Sequence, residues 1–147
     1  MLLLWIGGLS AAVGAAENAS SVAPAPGQIA SWDFIQSVGG IQIAQASQKM
    51  GTTWKLPLAC DLSGQQTFTQ KPTLVNSGMV IEKTLAEQDR SEIFISLVVA
   101  HPLWTLDPNK AQCKTIVIES KPGVYQISYR DGAGKTFPIG IAEFKLN

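Results

Sequence analysis

The chain has 147 residues, 46% of them hydrophobic and 15% charged, and its 11 Lys and Arg balance 11 Asp and Glu. That composition supplies enough apolar material for one core and carries too little charge for a disordered chain. The arginines are Arg90 and Arg130 alone, so no basic stripe exists to follow a phosphate backbone, and nucleic acid is excluded as an expected partner.

Residues 1–16, MLLLWIGGLSAAVGAA, form an uncharged apolar run that ends in small residues. This pattern predicts a signal peptide cleaved just before Glu17, or after Ala15, although no Lys or Arg precedes the run. The run is short and rich in Gly and Ala for a bilayer core of roughly 30 Å, so no stable membrane span is expected after cleavage. Residues 17–28, ENASSVAPAPGQ, have little to bury and are expected to be a flexible linker, with Asn18 in a chance-level glycosylation sequon. Residues 29–147 are then a single domain.

From Ile29 onward the dominant hydrophobic period is two, broken by Gly, Pro, Asn and Asp, which predicts strands. Strands are expected near Ala30–Val38 and Gly40–Ala46, joined tightly at Gly39–Gly40. In the next, Trp54, Leu56, Leu58, Cys60 and Leu62 share the core face while Lys55 and Asp61 point outward. Pro57 lacks an N–H and places that strand at an edge or on a bulge. Met79–Leu85 is expected to be a strand, with Lys83–Arg90 winding into helical turns. Ser91–Ala100 is apolar on both faces, as a central strand requires. Asp107–Cys113 is the second helical candidate, because Asp107 can cap it and Pro108 suits its first turn. Thr115–Glu119 follows, and Val124–Arg130 with Lys135–Leu146 is read as a hairpin turning at Asp131–Gly134. Trp32 and Trp54 are core residues by their strand phase. The expected fold is all-β: an antiparallel sandwich of about eight strands, immunoglobulin-like or related, with a small closed barrel as the alternative.

Cys60 and Cys113 stand 53 positions apart, which matches neither a zinc nor a redox motif but suits one disulfide in an oxidising compartment. The expected location is therefore secreted or periplasmic. His101 is the sole histidine, so every His-based triad or zinc site must pass through it, and no metal site, cofactor or catalytic residue is assigned. Gly134-Lys135-Thr136 lacks the earlier glycine of a phosphate loop, because Tyr129 occupies that position. Glu82, Glu87, Asp89, Glu92 and Glu119 are scattered carboxylates whose separation only the fold decides.

The candidate binding residues are Trp104 and His101, in the proline-bounded segment that follows the central strand, where an indole can stack on a sugar or anchor a protein. An exposed edge strand is a second means of recruiting a partner. The expectation is an extracytoplasmic binding or structural domain for a protein, glycan or envelope component. A small hydrolase built on His101, Asp107 and a carboxylate is the alternative, and an inhibitor or accessory subunit is the third.

Overall fold

A computed structural model describes Pro24 and residues 27–74, 76–101 and 108–146. The signal-peptide expectation, most of the linker, Trp104 and Asp107 lie outside the described residues. No helix among those described is long and apolar enough to cross a membrane.

The fold is an all-β sandwich, with one short helix, α1 (Trp32–Ser37), and nine strands among the described residues. In chain order these are β1 (Gln42–Ile43), β2 (Gln48–Met50), β3 (Thr53–Leu56), β4 (Leu58–Ala59), β5 (Val80–Asp89), β6 (Glu92–Ala100), β7 (Ile116–Glu119), β8 (Gly123–Arg130) and β9 (Thr136–Phe144). They form a four-stranded sheet β5-β6-β8-β9, a three-stranded sheet β2-β3-β7 and a two-stranded ladder β1-β4. All pairs are antiparallel except β6 with β8, which run parallel because β7 crosses to the other sheet between them. Among the described residues the sheets end in strands with a ladder on one side only, so the barrel alternative does not hold.

Two apolar clusters fill the interior. Ile93, Ile95, Ile127 and Phe144 of the large sheet meet Trp54, Leu56, Ile116 and Ile118 of the small one. Beyond them, Phe34, Ile35 and Val38 cover Leu97, Val99 and Tyr129 at the other end of the large sheet. Cys60 lies in the second cluster and Cys113 packs against both, and the two form a disulfide. Its 53-residue separation stabilises the fold by about 4 kcal/mol in the chain-entropy model.

The strand expected at Ala30–Val38 is instead α1. Ser31 caps it, its Oγ accepting from the Phe34 N–H at 3.1 Å, and the spacing of Phe34, Ile35 and Val38 is helical. The glycines expected to join two strands end this helix: the Gly40 N–H donates to Ile35 O at 2.9 Å and the Gly39 N–H to Gln36 O at 3.2 Å, a double C-terminal closure. Both glycines have positive φ, 117° at Gly39 and 88° at Gly40. Only Gln42–Ile43 of the expected Gly40–Ala46 strand is extended into a ladder. Trp32 is consequently half-buried on α1, stacked on Phe137 with ring centroids 4.8 Å apart.

Lys83–Arg90 is likewise not helical. Its residues favour helix intrinsically, but pairing from Val80 to Asp89 against β6 overrides that preference. The expected strand through Trp54–Leu62 holds its phase, with Trp54, Leu56, Leu58, Cys60 and Leu62 all buried, yet Pro57 divides it so that the chain passes from one sheet to another. Asp61, expected to face outward, is only 3% exposed and accepts from the N–H and hydroxyl of Ser63 at 3.0 and 2.6 Å. The helical candidate before Cys113 is a single 3-10 turn, Pro108–Ala111. The C-terminal hairpin forms as expected, with the Asp131 N–H donating to Lys135 O at 2.9 Å across the turn.

Gly27–Ala30 lies beside the upper part of β6. The Gly27 N–H donates to Val99 O, the Val99 N–H to Gln28 O, and the Ala30 N–H to Leu97 O. This segment occupies the flank that β8 leaves open, because the β6–β8 ladder stops at Ile95 and Tyr129.

Candidate functional site

A groove of about 940 Å³ opens where the terminal strands of both main sheets contribute lining. Its apolar floor is Ile43, Leu56, Ile139 and Ala142, with Ile141 beside it. Its polar rim is Gln42, Gln45, Ser47 and Gln48, with Lys49, Glu143 and Lys145 as the charged groups.

Local geometry explains why the groove stays open. β9 ends its sheet, so one row of its backbone groups faces away from β8. Ile43 of β1 crosses over that margin at Gly140, where a Cβ would lie 2.8 Å from Ile43 Cδ1, so only glycine admits the crossing without displacement. From Ile43 the chain follows the groove, and Ser47 Oγ donates to Glu143 O at 2.7 Å. β2 then forms the opposite wall, its three residues all exposed.

The rim is chemically available. The side-chain amides of Gln42, Gln45 and Gln48 make no hydrogen bond to other described residues, and each offers donors and an acceptor. Lys49 is partly engaged, its Nζ donating to Gly51 O at 2.8 Å and lying 5.9 Å from the Trp54 ring centroid. Ile141 keeps 70% of its surface exposed, the highest value among the large apolar side chains described. No aromatic side chain lines the groove among the described residues.

The residues singled out from the sequence lie elsewhere. His101 is exposed at the end of β6 and lines no hollow described here. Glu87 and Glu119 do share a smaller hollow of about 220 Å³ between β5 and β7, but Glu87 is paired with Arg130. Glu92 accepts from the Ser128 hydroxyl at 3.2 Å and the Gln126 amide at 3.4 Å, while Glu82 and Asp89 are exposed along β5. In neither of these two hollows does a carboxylate meet His101, and no group of three or more His, Cys, Asp and Glu side chains suited to a metal occurs among the described residues.

One buried titratable group stands out. Burial pushes the Tyr129 hydroxyl well above its ordinary value; the Leu97 N–H it accepts from pulls the other way, and Asp131 adds to the rise. Its hydroxyl donates to Ala30 O and so locks Gly27–Ala30 onto the sheet. It is a structural anchor.

The groove was absent from the sequence reading because its walls come from segments about 100 positions apart, and the 96-residue separation of Ser47 and Glu143 measures that distance. The available signal was the run Gln42-Ile43-Ala44-Gln45-Ala46-Ser47-Gln48, whose three glutamines recur in a short stretch without charge. Neither a protein-family model, nor a curated protein, nor a solved structure matches the chain.

Proposed function

We propose that this chain is an exported, non-catalytic binding domain whose groove between β2 and β9 receives an extended polypeptide segment of a partner protein. The observation that carries the reading is the pairing of uncommitted Gln amides with an open strand margin over an apolar floor. An extended peptide needs backbone partners and shallow pockets for every second side chain; beyond the Ile43 crossing β9 offers part of the first, with Glu143 O already taken by Ser47, and the apolar floor offers the second. A sugar-binding groove gains most of its contact from stacked aromatic rings, and the lining among the described residues is aliphatic, amide and charged. Export is supported by the Cys60–Cys113 bond, which persists in oxidising compartments.

Panning a random peptide library displayed on phage against the purified protein tests this reading. Enriched peptides should shift the backbone resonances of residues 42–49 and 139–145. Ile141→Asp should weaken their binding by about tenfold while the melting temperature stays nearly constant, since Ile141 is exposed. Failure to enrich any peptide, or enrichment that maps to the His101 end of β6, would overturn it.

A further inference from the structure

β5 is the other terminal strand of the large sheet, and its sequence is complementary to itself. Asp89 pairs with Glu92 across the two-residue turn Arg90–Ser91, so this closing pair exchanges both backbone hydrogen bonds. Alternation along the ladder then directs Glu87 and Leu85 toward β6 and turns the N–H and C=O of Gln88, Ala86 and Thr84 outward. A hollow of about 220 Å³ separates Ala86, Glu87 and Gln88 from Val117, Ile118 and Glu119, and no strand of the small sheet pairs with β5. The ladder with β6 is regular from Lys83 to Asp89, with the extra residue of the bulge at Glu82 marking its other limit.

On the outer face of this regular stretch stand Lys83, Leu85 and Glu87, every second residue, and all are exposed. Reversing the strand about Leu85 places Lys83 opposite Glu87 and Leu85 opposite itself. The same reversal sets Thr84 opposite Ala86, both with outward backbone groups, so the hydrogen-bonding parity agrees with the charge pattern. We infer that β5 is a homodimerisation edge. A second copy of this chain pairs antiparallel through Lys83–Glu87 about a twofold axis at Leu85, joining two four-stranded sheets into one of eight strands.

The charges that ordinarily protect an edge do the opposite here. A run of one sign repels a copy of itself, whereas a basic and an acidic residue equally spaced about an apolar centre attract one. Arg130, held over the Phe94 ring 4.0 Å from its centroid, contacts Oε1 of Glu87 from within its own sheet and leaves Oε2 for Lys83 of the second copy. An isologous contact of this kind closes at two copies and leaves the groove beside β9, at the opposite margin of the sheet, open.

Sedimentation velocity of the purified full chain, across concentrations that cover Kd values from about 1 μM to about 1 mM, reads the association. The expected result is a monomer–dimer equilibrium. Lys83→Glu alone and Glu87→Lys alone should each weaken it by about tenfold or more, because each replaces both attractive pairs by repulsive ones. An equimolar mixture of the two variants should restore dimers, since one copy then carries two glutamates and the other two lysines. A wild-type chain that stays monomeric throughout, a dimer indifferent to Lys83→Glu, or a mixture that remains monomeric would each overturn the inference. Both positions are exposed, and circular dichroism of each variant verifies that the fold is retained.

Discussion

At one margin of the four-stranded sheet, β9 carries Pro138, an additional residue at Ile139 that breaks the register, the crossing Ile43 and the Ser47 hydroxyl on Glu143 O. At the other margin, β5 runs regularly for seven residues, Lys83 to Asp89, with every side chain but that of Thr84 exposed. Proline, a bulge and a crossing segment all interrupt the row of backbone groups that another strand needs. The contrast shows that one sheet can treat its edges differently: β9 is obstructed over its first half and becomes the wall of a groove, while β5 stays flat enough to pair along its length. A groove admits a narrow, adaptable ligand, and a flat edge admits a rigid strand.

The largest expected effect comes from removing the covalent link between Cys60 and Cys113. Cys60 directly follows β4, β4 pairs with β1, and β1 carries Ile43 across β9. Replacing both cysteines by alanine should cost about 4 kcal/mol in denaturant unfolding, following loop-closure entropy. Amide exchange should accelerate first at Ala44, whose N–H donates to Pro57 O at 2.8 Å, and later in the β5–β6 ladder. Equal acceleration in both places would show that the obstructed margin does not depend on the disulfide.

A smaller effect is expected at Tyr129, on β8 in the interior of the sheet. Tyr129→Phe removes the donor to Ala30 O and the acceptor for the Leu97 N–H, and should cost about 1–2 kcal/mol. Because burial raises this hydroxyl above the unfolded value of 10.0, the neutral form is favoured in the folded chain. Stability is therefore fully present below pH 10.0 and falls as pH rises from there toward the higher folded value. Thermal unfolding of the wild type should show this alkaline decline, and Tyr129→Phe should flatten it. An identical decline in both proteins would assign the titration to other groups.

Much of this contrast was legible residue by residue. Period two located the cores of β6, β8 and β9, and the cysteine spacing gave the disulfide, because both signals are local or covalent. Ser31 and Gly39 were also present as helix start and stop signals, but the neighbouring strand-like residues Trp32, Phe34 and Ile35 obscured a helix of only six residues. The opposite error at Lys83–Arg90 has the same origin, since good helix formers there are held extended by a partner that local sequence does not name. The groove was the least legible feature. Trp104 and His101 drew attention as single conspicuous side chains, while the site with open amides and an apolar floor is assembled from commonplace Gln, Ile and Ser residues.

The finest test of the contrast is Ser47→Ala. The hydroxyl occupies one outward carbonyl of β9, and its loss should cost about 0.5–1 kcal/mol, a modest penalty because water can replace the donor at this half-buried position. The more telling consequence concerns the edge. With Glu143 O released while Pro138 and Ile43 stay in place, β9 gains one free acceptor only in the half that already lines the groove. Peptide binding should then strengthen or hold steady, and self-association should still be weakened by Lys83→Glu. If Ser47→Ala instead produced a dimer that Lys83→Glu left intact, a single hydroxyl would be what separates the two margins, and the proline, the bulge and the crossing isoleucine would be secondary.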